Sequence, residues 1–142
     1  MWIRAATAAD LEALGALKLR ASLAWGEHVE ALTAMADART VPIEHLPFVF
    51  LAETVEGIAG FATVLPGAEL EDIFVDPHLW RRGAGRVLMR EAVSRARVLG
   101  APALHVIANS HALGFYAACG FEVIGTVTTE LGPGVEMELR LP

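Results

Sequence analysis

Cysteine is almost missing from this chain of 142 residues, in which Cys119 is the only one. A single thiol cannot form a disulfide within the chain, so we expect a reducing, cytoplasmic location. Cys119 lies near the end of a predicted helix among small residues. That setting favours buried packing over a nucleophilic role.

Long hydrophobic runs are also missing, because charged residues or glycines interrupt every candidate for a membrane span. The first residues, Met1 to Ala5, lack the basic start and the apolar core of a signal peptide. Hydrophobic residues still make up 54% of the chain and charged residues 20%, which excludes a disordered protein. We therefore predict a single domain over residues 1–142, with one core and no membrane contact.

The charge balance argues against nucleic acid as a partner, because the net charge is −6. The charges are unevenly distributed: six arginines and one acid lie between Arg81 and Arg97, and the rest of the chain is strongly acidic. A local basic patch in an acidic protein favours an anionic cofactor at one place. The acidic remainder favours, more weakly, a cationic substrate.

Two classes of catalytic site are missing as well. None of the five histidines stands at metal-ligand spacing with a third ligand, so we predict no metal site. No serine lies in a Gly-x-Ser-x-Gly pattern, which argues against a serine hydrolase of that type.

The most informative segment is a strand, turn and helix pattern that begins at Glu69. The strand is predicted over Leu70 to Val75, the helix begins near Ala84, and the turn between them contains Gly-x-Gly. Free backbone N–H groups at such a turn, the helix dipole and nearby arginines together favour a phosphate site. A dinucleotide motif is excluded because its sixth position is Leu88, and the lysine of a P-loop is missing. The residues expected to hold the phosphate are Arg81, Arg82, Gly83, Ala84, Gly85 and Arg86.

The rest of the chain alternates between strand and helix signals. Three strands come in quick succession before the turn and are expected to form an antiparallel meander, and the chain ends in a hairpin. This order indicates an α/β or α+β fold with a partly antiparallel sheet. The predicted strands are 1–5, 48–53, 58–65, 70–75, 103–108, 121–129 and 135–141, and the predicted helices are 8–22, 27–38, 84–99 and 110–119.

A second motif lies at residues 108–121, with Asn109, a short helix carrying Phe115 and Tyr116, and then Gly-Phe. Together the two motifs resemble those of the GNAT-superfamily N-acetyltransferases, in this order and at this spacing. The resemblance implies the GNAT fold, a mixed, mostly antiparallel sheet of six to seven strands flanked by helices. It also implies that the turn amides hold the pyrophosphate of coenzyme A. One departure is Trp80, which stands where the family often has Gln or Arg.

The activity that the resemblance implies is direct transfer of the acetyl group of acetyl-CoA to a primary amine of a small molecule. That amine would be polyamine-like or amino-acid-like. Two alternatives remain open: acetylation of N-termini or lysines of proteins or peptides, and a non-catalytic acyl-CoA-binding module. A homodimer is compatible with the sequence, with the C-terminal strand as an available edge.

The central strand supplies the candidates for proton removal. The run Leu-Glu-Asp-x-Phe-Val resembles that of spermidine/spermine and thialysine acetyltransferases. By that match, Glu71 is the base-like residue, acting through water, and Asp72 helps to hold a cationic acceptor. Neighbouring strand residues face opposite sides, so only one of the two can face a given cleft. Glu69 shares the parity of Glu71 and could replace it.

The resemblance also implies roles around the cofactor. The Val75 N–H is expected to stabilise the oxyanion, and Tyr116, the only tyrosine, to protonate the leaving thiolate rather than serve only as core. Phe74 is expected beside the cofactor with these two. Asn109 either contacts the cofactor arm or caps the following helix. Trp25 either lines the acceptor pocket or belongs to the core.

Overall fold

Seven segments rich in aliphatic and β-branched residues form one sheet in the computed structural model, which describes residues 1–142. The second predicted helix is shorter than expected and continues as a separate 3-10 turn, Ala36–Arg39. The strands are β1 (Trp2–Ala5), β2 (Val49–Thr54), β3 (Gly57–Leu65), β4 (Glu69–Val75), β5 (Ala103–Ala108), β6 (Glu122–Thr129) and β7 (Gly132–Arg140). The helices are α1 (Leu11–Leu23), α2 (Val29–Ala34), α3 (Ala84–Val98) and α4 (Leu113–Ala118).

The strand order is β1-β2-β3-β4-β5-β7-β6, and every neighbouring pair is antiparallel except β4 with β5. The predicted mixed, mostly antiparallel sheet is thus confirmed. The C-terminal strand β7 is not an available edge, contrary to expectation. It lies between β5 and β6, so β6 forms the edge on this side of the sheet. The edges are β1 and β6, and the homodimer stays a prediction.

Two apolar clusters fill the two faces of the sheet. Helices α3 and α4 cover one face, where Leu88 of α3 is fully buried in the larger cluster. Helix α1 covers the other face of β3 and β4, where Leu14 and Leu17 pack with Phe61. None of the helices is long and apolar enough to cross a membrane. Strand β4 therefore lies between two helical layers at the centre of the molecule.

The two parallel strands separate along their length. They pair only at Glu69 and His105, and the His105 N–H donates to the Ala68 carbonyl at 2.9 Å. No further pairing joins them, although β4 continues to Val75 and β5 to Ala108. Their carboxyl ends therefore border an open cleft, which is where sheets of this kind usually bind ligands.

A β-bulge interrupts β4 at Glu71. Thr63 pairs with Asp72 but the next residue of β3 pairs with Leu70, so Glu71 has no partner on that side. Leu70 packs in the cluster under α3, whereas Asp72 faces Lys18 of α1. Strict alternation along β4 was therefore the wrong assumption, because the bulge resets which residues share a face.

Candidate active site

The turn before α3 presents a row of unpartnered amides. No N–H of residues 81–86 donates a hydrogen bond within the protein, and the first bond of the helix runs from the Val87 N–H to the Gly83 carbonyl at 3.1 Å. Gly83 precedes the helix with φ of 87°, and Arg81 has φ of 65°. A left-handed conformation at a non-glycine residue is uncommon and clusters at ligand sites. The backbone is therefore already shaped to receive acceptor atoms.

These amides fit a diphosphate by their chemistry. Free N–H groups at the start of a helix of 15 residues combine with the positive end of its dipole. Arg81 and Arg86 line the same cleft, which adds positive charge. The Arg82 side chain is 60% exposed and lies 4.0 Å from the Glu56 carboxylate. It is the one arginine of the three that does not line the cleft. Had these amides been bonded within the protein, the phosphate prediction would have failed.

A cleft of about 600 Å³ extends from this turn between the separated strands. Glu71 and Tyr116 line it further in, on β4 and α4. Gly85 packs against the Phe115 ring so closely that an added Cβ would lie 3.2 Å from the ring. All predicted cofactor-binding residues except Arg82 line this cleft, namely Phe74, Val75, Arg81, Gly83, Ala84, Gly85, Arg86, Asn109 and Tyr116.

The Val75 amide points into the cleft. The Asp76 N–H donates to the Ala59 carbonyl at 2.8 Å, so Val75 and Gly60 form the next, non-hydrogen-bonded pair. The N–H and C=O groups of Val75 are therefore directed toward β5, where no strand pairs with them. The carbonyl accepts a hydrogen bond from the Trp80 indole at 2.9 Å, and the N–H has no acceptor. Trp80 thus holds the end of β4 in its separated position.

Tyr116 lies in the wall of the cleft with 6% of the residue exposed. Its ring meets those of Phe115 and Phe121 edge-on, with centroids 5.5 Å apart in each case. Its hydroxyl makes no hydrogen bond within the protein. Burial raises the pKa of Tyr116 well above its ordinary value, so the phenol stays protonated at neutral and moderately alkaline pH.

The two acids of β4 have different surroundings. Glu71 is exposed on the bulge and lines the cleft. Asp72 is buried, accepts a hydrogen bond from the Thr63 hydroxyl at 2.9 Å and lies 3.7 Å from Lys18 Nζ. Both Asp72 oxygens are therefore engaged inside the protein. Asp72 is therefore not available to hold a cationic acceptor, contrary to expectation. Drawing Asp72 away from these partners would leave a buried charge without a counter-ion.

A second cavity, of about 260 Å³, adjoins the cleft and shares five lining residues with it. It is bordered by the connection between α1 and α2 and by the turn between β6 and β7, at Glu27, Thr129 and Pro133 for example. Asn109 makes no side-chain cap of the helix that follows it, so the capping alternative is not observed. The residues that line both spaces are Trp25, Phe74, Ile107, Asn109 and His111.

A stack of three rings stands where the two spaces meet. The Trp25 ring lies 4.8 Å from that of Trp80 and 4.5 Å from that of His111, measured between centroids. His111 Nδ1 lies 3.4 Å from a carboxylate oxygen of Glu27. From the sequence, Trp25 was expected either at the acceptor pocket or in the core, and its two partners were not predicted. The only features of the sequence that pointed to these two partners were the unusual Trp80 and the position of His111 two residues after Asn109.

The comparisons with solved structures agree with this geometry. A GCN5-related N-acetyltransferase from Rhodopseudomonas palustris, called Aminotransferase, Class-II, has TM-score 0.81 and 20% identity, over 99% of this chain and 95% of that one. PaiA N-acetyltransferase from Thermoplasma acidophilum, solved with coenzyme A, has TM-score 0.78 and 19% identity, over 99% and 98%. Ribosomal-protein-alanine N-acetyltransferase from Brucella melitensis has TM-score 0.71 and 22% identity, over 99% and 100%. At these identities the likeness shows that the chain has the N-acetyltransferase fold.

The family follows from the sequence itself. The model of the acetyltransferase (GNAT) family matches residues 17–121, which is most of the chain, and no curated protein matches it. The chain belongs to the acetyltransferase (GNAT) family. Membership confirms the enzyme class, N-acetyltransferase, and the predicted co-substrate, acetyl-CoA.

Proposed function

We propose that this enzyme transfers the acetyl group of acetyl-CoA to a primary amine of a small cationic molecule that carries no carboxylate. The observation that carries the proposal is the row of unpartnered amides at residues 81–86, at one end of a cleft that meets a second cavity. The amides would hold the diphosphate. The thioester arm would then lie along β4 toward Tyr116.

Three groups of the chain serve the transfer in this proposal. The Val75 N–H donates to the carbonyl oxygen as negative charge develops there, because it is fixed and has no competing acceptor. The Tyr116 hydroxyl donates a proton to the departing sulfur. A third group must take a proton from the amine, because with a pKa near ~10.4 only about one amine in ~2,500 is free at pH 7. Glu71 is the candidate for this role from the family resemblance.

The class of acceptor is inferred from what lines the second cavity. None of its lining residues is Arg or Lys, and Glu27 is the only carboxylate among them. A carboxylate on the acceptor would therefore lack a cationic partner there, whereas an ammonium group could pair with Glu27. The candidate acceptors are thereby narrowed from polyamine-like or amino-acid-like amines to polyamine-like amines.

A protein or peptide acceptor is the second candidate. The cavity is partly open to solvent, so a chain end could enter it. Its volume of about 260 Å³ favours a small molecule, since a bound peptide would have to extend across the exposed sheet beyond it. A non-catalytic module is disfavoured by membership in an enzyme family.

A matched pair of acceptors tests the proposal. Lysine and 1,5-diaminopentane differ only in the carboxylate, and thiol release from acetyl-CoA measures transfer to each. We expect kcat/KM for the diamine to exceed that for lysine by at least about tenfold, or ~1.4 kcal/mol. Equal or better use of lysine would overturn the acceptor class. A peptide amine that outperforms both would favour the second candidate.

Reversing a charge at the turn tests the diphosphate assignment. Arg82→Glu should weaken acetyl-CoA binding about three- to tenfold at low salt, because it reverses a charge next to the amides that would hold the diphosphate. The exposed position makes the effect small and sensitive to ionic strength. Arg97→Glu, about 20 Å away along α3, is the matched control and should leave the dissociation constant unchanged. Equal binding by both variants in calorimetry would remove Arg82 from the site.

A further inference from the structure

We infer that His111, held by Glu27 and Trp25, accepts the proton of the attacking amine. The inference rests on the proposed function and deepens it. Glu71, the candidate from the family resemblance, lines only the larger cleft. His111 lines both spaces, and the amine and the thioester have to meet where those spaces join. Position alone therefore favours the imidazole over the carboxylate of β4.

The imidazole is held in one orientation. Its Nδ1 is buried and lies 3.4 Å from a Glu27 carboxylate oxygen, although the angle does not satisfy a hydrogen bond. The Trp25 ring packs on it at 4.5 Å, and Trp25 in turn packs on Trp80. Nε2 has no partner within the protein and is the nitrogen left accessible. A carboxylate beside Nδ1 thus leaves Nε2 as the nitrogen that can accept a proton.

The titratable groups that line the two spaces with His111 come from five parts of the chain. The connection between α1 and α2 supplies Glu27 and His28 on the acceptor side. Strand β4 supplies Glu71, and α4 supplies the neutral Tyr116. The turn before α3 and the first residues of that helix supply Arg81 and Arg86. Glu27 is the only acid within ion-pair distance of the imidazole, so it is the positioning residue for this role.

The proton and electron balance closes with these groups. Neutral His111 takes one proton from the ammonium, and the freed nitrogen pair forms the N–C bond to the acetyl carbon. The C–S bond then breaks, and its electron pair leaves with sulfur. The second proton lost by nitrogen replaces the one that Tyr116 gives to sulfur. The net change is one amide, one thiol and one proton released by His111 to solvent.

Two substitutions of His111 test the inference. His111→Gln keeps a polar side chain of similar size and His111→Phe keeps the ring that packs on Trp25, but neither can accept the proton. We expect kcat for 1,5-diaminopentane to fall at least about 100-fold in both, with acetyl-CoA affinity unchanged. The decline of kcat at low pH, which forms the acidic limb of the pH profile of kcat, should also disappear. His105→Gln is the matched control, because His105 forms a similar pair with Glu138 at 3.3 Å outside both spaces.

Two further measurements separate proton transfer from a structural role. Trifluoroethylamine is already neutral at pH 7, so the defect of His111→Gln should shrink at least tenfold with this acceptor. Glu27→Gln, at a half-exposed position, should lower kcat about tenfold, because the side chain beside Nδ1 loses its negative charge. A defect equal for both amines would assign His111 to packing and overturn the inference.

The outcomes distinguish this inference from the proposed function. If the wild type releases no thiol with any amine, the proposed function fails and the inference fails with it. If the wild type is active and both His111 variants stay within threefold of it, only the inference fails. Loss of the acidic limb in Glu71→Gln but not in His111→Gln would likewise return the role to β4.

Discussion

Tyr116→Phe is expected to lower kcat about 100-fold while the dissociation constant of acetyl-CoA changes less than about threefold. The hydroxyl makes no hydrogen bond within the protein, so its removal leaves the fold and the edge-on aromatic packing intact. The substitution removes a proton donor for the departing thiolate. Such a donor typically raises the rate 10²- to 10⁴-fold, and we expect about 100-fold here. Steady-state kinetics together with calorimetry separate the two effects.

The pH dependence checks the same residue with the wild type alone. Because burial raises the pKa of Tyr116, the phenol keeps its proton as the pH rises. It loses that proton only above the pH at which an ordinary phenol ionises. The kcat profile should therefore show no alkaline decline below about pH 10. A decline near pH 8, or a phenylalanine variant within threefold of the wild type in kcat, would assign Tyr116 to the core only.

Gly85→Val is expected to weaken acetyl-CoA binding at least tenfold, or ~1.4 kcal/mol. A Cβ at this position would lie 3.2 Å from the Phe115 ring and 3.9 Å from a Val75 methyl, and valine adds two further carbons. Either the ring moves into the cleft or the start of α3 moves away from β4. Both shifts displace the amides from the arrangement that receives the diphosphate. Such overpacking also costs about 1–3 kcal/mol of stability.

Gly114→Ala provides the control for this substitution. Gly114 lies in α4 beside the same aromatic residue, but a Cβ there has nothing within 4 Å. Alanine should leave binding unchanged and stabilise the helix by about 0.5–1 kcal/mol. If Gly85→Val folds and binds acetyl-CoA within twofold of the wild type, the close contact at α3 has no part in the site.

The parts of the fold that were predictable are those fixed by neighbours in sequence. The Gly-x-Gly turn between strand and helix indicated free amides because a tight turn and a helix start are local events. The meander of β2, β3 and β4 followed from three short apolar runs separated by turn residues, for the same reason. The order of β7 and β6 was not predictable, because either arrangement keeps the final hairpin intact.

The parts of the site that were missed depend on contacts between distant segments. Trp25, Trp80 and His111 form one stack, yet they come from three connections that only the folded chain brings together. The bulge at Glu71 was missed as well, although the adjacent acids Glu71 and Asp72 interrupt the alternation of apolar and polar residues there. Asp72 was assigned to the acceptor on pattern alone, and only the positions of Lys18 and Thr63 show why it faces inward.

The central claim is that the amides of residues 81–86 hold the diphosphate of acetyl-CoA, and calorimetric titration with two donors tests it most directly. Acetyl-CoA and acetylpantetheine share the thioester arm, but only the first carries the diphosphate. The claim predicts saturable binding of acetyl-CoA and at least about 100-fold weaker binding of acetylpantetheine. Equal affinity for the two, or no saturation with acetyl-CoA at millimolar concentration, would contradict it.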